Sequence, residues 1–446
     1  MKKILFYTFL GFIGLLFILA ISTHTSVDTT PYQQMPYYKQ TMAHLDSMTA
    51  MEERAIRDSL TVGWAKVSLL PEKDIAMAGY GSREGKLLEG VRDTVWVRAF
   101  VLDNGVERVL MFSADLLIIP SEVTSMLKTA LPEIGLSLDK TYMSATHTHC
   151  SIGGWDPSFV GELFAGAYDP EIVIHITQAI VKAATIAAED LQPAQLGFSQ
   201  VEAREYVHNR LVEEKGIEDP WMRMMKFERR DGRTALWLTY AAHATCLNDS
   251  EMRLSQDYPG ELVRLLETRQ DIDFACFSAG AVGSHGPESG GKDDDAQIQF
   301  MAQGLYEKAA TVLDSIALQT VSKLKALKVP IYLREPHFRL NTSIRSRPWV
   351  FRRLVGENQE AYISALRIGN NLLLATPCDF SGELMPELKA GGYNLMVTSF
   401  NGAYIGYITK DEWYELDSYE TRVMNWFGPY NGAYFVEIMN KLITLI

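Results

Sequence analysis

Short apolar runs, each closed by small or polar residues, recur along most of this chain. After Gly63 they read "KVSLLP", "WVRAFVLD", "RVLMFSADLLII", "KTYMSATHTH", "ALWLTYAAHAT", "IDFACFSAGA", "LLLATPCDF" and "YNLMVTSFNG". Runs of this length and composition predict buried strands. Between several of them the apolar spacing changes to three and four, in "SEVTSMLKTALPEI", "PEIVIHITQAIVKAATIAAEDL", "YPGELVRLLETR" and "DAQIQFMAQGLYEKAATVLDSI". That period predicts amphipathic helices. Strands alternating with helices place the chain in the α/β class, with packed β-sheets flanked by helices. "SGGKDDDAQ" (289–297) predicts an exposed loop running into a helix start.

The N-terminus departs from this pattern. Ile4 to Ile21 is an uncharged apolar run behind Lys2 and Lys3. Its length fits a membrane span, and the two lysines predict a cytoplasmic N-terminus with the remainder exported. Residues 1–22 therefore read as an uncleaved transmembrane anchor. A cleaved signal peptide, giving a secreted protein, is the rival, with only "AIS" as a weak cleavage site. No cysteine follows the run, which argues against a lipid-modified start. Either way the globular part lies outside the cytoplasm, periplasmic or extracellular. Residues 23–60 read as a polar tether followed by a helix, the helical spacing starting at "YKQTMAHLDSMTAMEERAIRDSL". No repeat, low-complexity block or Pro/Gly-rich linker divides 61–446, which reads as one catalytic domain.

Composition narrows the function. Hydrophobic residues make up 47% and charged residues 22% of the 446, enough for a large core. A formal net charge of −13 repels phosphate and excludes nucleic acid as the expected partner. The four cysteines, at 150, 246, 276 and 378, form no C-x-x-C pair, so a zinc ribbon or thioredoxin motif is absent. They are expected to be small buried apolar residues, although an exported chain permits a disulfide.

Five predicted strands end in groups able to do chemistry: His147 and His149, His243, Ser284 with His285, Asp379, and Tyr404 with Tyr407. In α/β proteins ligands bind beyond strand C-termini, so five polar ends in one chain point to convergence. A strand continuing through His147 and His149 would aim both imidazoles at one face, a pattern that suits a divalent metal such as Zn2+. Each signal has a plain alternative. One histidine of an H-x-H pair is commonly buried and the other exposed. A lone histidine between alanines, as at 243, is commonly a satisfied core residue. Asp379 could instead cap the following "SGEL" segment.

Several segments carry a resemblance to a known family. "MAGYG" with "VRDTVWVRAFVLD", "VLMFSADLLII" followed by "SATHTHCSIGG", "HNRL", "HATCLNDSEMRLSQDYPGEL", "NGAYIGYITKDEWYELDSYE" and "FGPYNGAY" occur in the order found there. Over most of 68–446 the chain resembles the neutral/alkaline (non-lysosomal) ceramidases, zinc amidases that cut the N-acyl bond of ceramide. The resemblance implies a ceramide-like lipid substrate and a Zn2+ cofactor. Its ligands would fall on His147, His243, Asp379 and Tyr407, with Tyr404 the alternative to Tyr407. His149 becomes the imidazole that passes a proton to the leaving amine, supported by Asp257 and Arg210.

Four departures qualify the match. Asp379 stands where the family usually has glutamate. "SAGAVGSHGPESGG" replaces a Gly-Asp/Asn-x-Ser-Pro-Asn segment whose serine is the assigned nucleophile. Ser284 matches that serine only with a one-residue insertion; without it the position is Gly283, and His285 is new. Attack by water activated at the metal is the alternative route. "CSIGG" replaces Ser-Gly-Pro-Gly-Gly, and the C-terminal β-sandwich of longer members is expected to be absent. The expectation is a membrane-anchored zinc amidase acting on ceramide. Its rivals are a same-fold hydrolase of another N-acyl or lipid substrate, and a catalytically impaired lipid-binding envelope protein.

Overall fold

A computed structural model of the chain describes residues 2–48, 59–288, 290–356 and 360–446. The distal part of the expected tether helix (49–58) and the first residue of the expected 289–297 loop fall outside the described residues. Helix α1 (Lys2–Thr23) is followed by α2 (Pro36–Ser47). Ile4–Thr23 is long and apolar enough to cross a membrane, and none of it is buried. Next come β1 (Thr61–Ser68), β2 (Trp96–Asp103), β3 (Arg108–Ala114), α3 (Ser121–Ala130), β4 (Thr141–Ala145), α4 (Phe159–Ala165) and α5 (Pro170–Glu189). The first large sheet is completed by β5 (Gln192–Glu202), β6 (Trp221–Arg229), β7 (Thr234–Tyr240), α6 (Asp257–Glu267), β8 (Phe274–Ala279) and α7 (Asp294–Leu313). A second region holds β9 (Leu324–Pro330), α8 (Pro348–Val355), β10 (Tyr362–Ile368), β11 (Asn371–Ala375), β12 (Asn394–Thr398) and α9 (Asn431–Leu445).

The large sheet runs β8-β7-β6-β5-β1-β2-β3-β4, and the smaller one β9-β10-β11-β12. They stack in four layers: helices, large sheet, small sheet, helices. The alternation of side chains along β2 shows why these strands read as unbroken apolar runs. Val97, Ala99 and Val101 face the layer of α3, α5, α6 and α7. Phe100 and Leu102 face Leu366, Leu373 and Met396 of the small sheet. Both faces are buried, so apolar residues dominate both, and the buried Arg98 is tolerated because it is paired with Glu267 and Ala275 O. In β11, Leu372 and Leu374 pack instead on α2 and α9, while Leu373 and Ala375 face the large sheet. The long helices of the globular part begin where the sequence permits it: Asp169 accepts Glu171 N–H ahead of Pro170, and Asp293 accepts Ala296 N–H at α7.

Two features bring the polar strand ends together. β3 with β4, β7 with β8, and β11 with β12 are parallel pairs. In addition the large sheet curls until β8 packs against β3 and β4, and Arg98 of β2 donates to Ala275 O of β8 at 3.0 Å. The C-terminal ends of all three pairs thus meet at one pole. Ser399 N–H bonds to Ala279 O at 3.1 Å and His149 N–H to Ala244 O at 3.4 Å across it. All four cysteines are buried and free.

Candidate metal centre

At this pole the side chains of His147, His149, His243, Asp379, Tyr404, Tyr407 and Arg210 converge. The strand carrying the first two histidines does not continue through them, contrary to the sequence expectation. β4 stops at Ala145, and His147 takes a left-handed conformation (φ 63°). The turn nevertheless brings His147 Nε2 and His149 Nε2 to 3.3 Å. The ring of His147 stacks on Phe400 at 4.1 Å between centroids, which fixes its plane. The ligand atoms of His147, His149 and His243 all lie within 4.8 Å of one another.

Backbone carbonyls settle the tautomers. His147 Nδ1 lies 2.6 Å from Leu117 O. His243 Nδ1 lies 2.9 Å from Val282 O and 3.0 Å from His285 O. A carbonyl only accepts, so both Nδ1 atoms carry the proton and both Nε2 atoms present lone pairs. Those lone pairs face Asp379 Oδ1, at 3.4 Å from His147 and 3.2 Å from His243. Asp379 Oδ1 is buried without a hydrogen-bond partner, whereas Oδ2 accepts from Tyr404 Oη at 2.8 Å. The two-residue parallel pair Asp379–Phe380 with Tyr407–Ile408 sets Tyr407 beside Asp379. Tyr407 Oη lies 3.3 Å from His243 Nε2.

This donor set fits a divalent cation. Two imidazole lone pairs and a carboxylate oxygen, all buried, repel one another until a positive charge sits between them. Donors about 2.0–2.1 Å from one tetrahedral Zn2+ lie roughly 3.4 Å apart, close to the 3.2–3.4 Å separations seen here. Burial, followed by the charge of Arg210, pushes His243 down to about 3. Burial holds His149 well below the ordinary histidine value. Burial, then Asp379, raises Tyr407 well above an ordinary phenol.

The supporting residues separate by position. Arg210 Nη2 donates to Tyr407 Oη at 3.1 Å and its Nε pairs with Glu420 at 3.0 Å. Tyr404 touches the carboxylate rather than the imidazoles. Asp257 touches no member of the centre: it accepts N–H groups of Cys246 (3.3 Å) and Leu247 (2.9 Å), pinning the chain that leaves His243. The cap of the short helix after Asp379 is Ser381, which accepts Glu383 N–H, so Asp379 is not used as a cap.

Ser284 and His285 lie behind the centre. Ser284 Oγ contacts Ser381 Oγ at 2.5 Å and His285 Nδ1 at 3.2 Å. His285 Nε2 lies 3.2 Å from Asp219 N and from Ile217 O. Gly283 has no room for a side chain, because a Cβ there would sit 2.3 Å from Asp379 O.

A cavity of about 1600 Å3 opens onto the centre. His147, His149 and Tyr407 form part of its wall, and Leu117, Ile118, Trp155, Val160, Phe164, Trp426 and Phe427 supply much of the rest. Neither Ser284 nor His285 lines it. Phe400 and Glu420 belong to the site without having been singled out from sequence. Glu420 sits in the quoted closing block, but nothing local marks it as the partner of Arg210.

The family model "Neutral/alkaline non-lysosomal ceramidase, N-terminal" matches residues 70–303. That segment holds His147, His149, Arg210 and His243 and ends before Asp379 and Tyr407. The neutral ceramidase of Pseudomonas aeruginosa is 26% identical over 205 residues, 42% of this chain and 30% of the relative. That of Mycobacterium tuberculosis is 24% identical over 206 residues, 42% of this chain and 32% of the relative. The matched segment thus spans about a third of the length of these curated relatives. The crystal structure of the Pseudomonas aeruginosa neutral ceramidase superposes with a TM-score of 0.72 at 20% identity, covering 86% of this chain and 75% of that one. At that identity the superposition speaks to the fold: a mixed α/β architecture of sheets flanked by helices.

Proposed function

The chain belongs to the neutral/alkaline non-lysosomal ceramidase family, and from that premise we propose a membrane-anchored, zinc-dependent amide hydrolase. It cleaves the N-acyl bond of ceramide or a related sphingolipid, giving a sphingoid base and a fatty acid. The observation that carries this reading is the partnerless Asp379 Oδ1 facing two Nε2 lone pairs at the end of a largely apolar cavity. His147, His243, Asp379 and Tyr407 hold Zn2+. When bound, Zn2+ supplies Lewis acidity toward a carbonyl oxygen and lowers the pKa of water.

The chain's own residues do the remainder. Leu117 O and Val282 O fix the two imidazoles as Nε2 donors of lone pairs. Tyr404 occupies Asp379 Oδ2 and so leaves Oδ1 free for the cation. Arg210, braced by Glu420, places positive charge beside Tyr407 Oη, where it stabilises charge developing on the carbonyl oxygen. His149 is half-buried, lines the cavity and has a partnerless Nδ1. A proton carried there is held weakly, because burial disfavours the charged form, so it passes readily to the leaving amine. Water is the nucleophile in this reading, since the Ser284 hydroxyl is paired with Ser381 and His285 away from the cavity. The apolar wall accepts the alkyl chains, and α1 anchors the molecule to the membrane that contains them.

Metal analysis by mass spectrometry coupled to a hydrolysis panel tests this. The expected result is about one zinc per chain with release of fatty acid from long-chain ceramide. Zinc binding without hydrolysis of any N-acyl compound would sink the enzymatic reading. Hydrolysis of other N-acyl lipids but not ceramide would sink the choice of substrate.

A further inference from the structure

Large apolar side chains exposed singly are ordinary, but several here gather at the mouth of the cavity. On α8, Phe351 is buried while Trp349 is 52% exposed. α4 packs against α8 and exposes Phe159 (59%) and Leu163 (46%). Phe159 and Trp349 flank a shallow surface groove that shares Pro157, Ser158, Arg352 and Gly356 with the wall of the cavity. The rim where the cavity meets the surface is therefore apolar and aromatic on one side.

That side is also where α1 ends. Arg347 N–H donates to Thr23 O at 2.7 Å. Arg347 Nε donates to Ile21 O at 3.0 Å and Trp349 Nε1 to Ser22 O at 2.9 Å. The strand His24–Ser26, directly after α1, pairs antiparallel with Ile344–Ser346, directly before α8. The C-terminal end of the apolar helix and the rim are thus one continuous surface. With α1 embedded, the headgroup layer at its end lies level with Trp349. Arg347 and Arg353 are exposed at the same place, on a chain whose net charge is −13. Aromatic side chains with arginines beside them are what a phospholipid interface takes up, the rings among acyl chains and the guanidinium groups at the phosphates.

We infer that the α4–α8 rim is a bilayer-docking surface: Phe159, Leu163 and Trp349 enter the interface of a phospholipid membrane, so that a membrane-embedded substrate moves into the cavity without crossing water. The route of entry rests on the lipid-amide reading above; the docking itself does not.

The test uses the full chain reconstituted into phosphatidylcholine vesicles. Bromine-labelled lipids are expected to quench a component of the tryptophan fluorescence that is missing in Trp349→Phe. Equal quenching of the two proteins would overturn docking. Phe159→Glu combined with Leu163→Glu is expected to lower hydrolysis of a vesicle-embedded long-chain N-acyl amide about tenfold or more, with a water-soluble short-chain analogue cleaved as before. A parallel loss on both substrates, or no loss on either, would overturn the entry route. No hydrolysis by the unaltered chain would overturn the lipid-amide reading instead, leaving docking to the quenching result.

Discussion

Two buried polar clusters lie back to back around His243, and they differ in closure. The cluster behind it is complete: Ser284 Oγ meets Ser381 and His285, His285 meets Asp219 N–H, and Asp219 is held by both terminal nitrogens of Arg223 at 2.7 and 2.9 Å. None of Ser284, His285, Ser381 and Asp219 lines the cavity. The cluster in front is incomplete: Asp379 Oδ1 and His149 Nδ1 are buried without partners, and His147, His149 and Tyr407 open onto the cavity. Buried polar groups are normally paired, so unpaired acceptors that face one another beside a cavity suit a ligand, whereas a satisfied network holds structure. Residue type alone would have ranked the two the other way, since a serine, a histidine and an aspartate look like hydrolytic machinery.

The largest test of this contrast is His147→Ala or His243→Ala. Each is expected to lose bound metal and to lower amide turnover on the order of a thousandfold or more. Full metal content and turnover in either variant would break the assignment of the front cluster. Next is Gly283→Ser, which places a serine at the position the uninserted alignment offers. Its Cβ would meet Asp379 O at 2.3 Å, so the expected outcome is a stability loss of about 1–3 kcal/mol with reduced metal content. A gain in turnover would show that the chain tolerates a serine nucleophile after all.

His337 supplies a reference outside both clusters, where burial acts first on a histidine and Arg345, Arg339 and Arg334 add to it. Burial pushes it down to about 3 from the ordinary 6.5. The unfolded chain therefore binds a proton between pH 6.5 and 3 that the folded chain refuses. Stability from this residue is intact above pH 6.5 and falls as pH drops through that window, by about 1.4 kcal/mol per pH unit. His337→Asn should remove that slope in denaturant titrations compared at pH 6.5 and 4.5. An unchanged slope would refute the role of burial. The smallest effect is expected for Ser284→Ala: stability lower by about 1 kcal/mol, with metal content kept and turnover within a few-fold. A loss of turnover as large as that of His243→Ala would erase the distinction between the two clusters.

Much of the fold was legible. The strand over 96–103 and the helices α5, α6 and α7 fall where periodicity puts them, because both faces of the strand are largely apolar and the helices carry apolar stripes, with aspartate caps at α5 and α7. The half-polar strands β5 and β6 and the small-sheet strands β9 and β10 escaped, since apolar runs interrupted by glutamine, lysine, arginine or serine carry a weak local signal. The strand near "KVSLLP" begins earlier, at Thr61. In the site, His147, His243, Asp379 and Tyr407 were singled out at predicted strand ends and Arg210 through the resemblance, and their side chains lie together. The same reasoning could not tell that Tyr404 bonds the carboxylate, that Asp257 only pins a loop, or that Ser284 points away from the cavity. Those are facts of orientation, set by a turn at His147 and by the pairing of two short strands.

The sequence by itself determined which segments are buried and which polar residues stand at their ends, because hydrophobic burial and backbone periodicity act over a few neighbouring residues. It also determined the apolar length of α1. Only the tertiary structure decided that the large sheet curls until β8 reaches β3 and β4. That closure brings residues from 147 to 407 into one centre and leaves Asp379 Oδ1 facing lone pairs instead of donors. Convergence of this kind depends on strand order and twist, which are set by packing between distant parts of the chain and leave no mark in any local stretch.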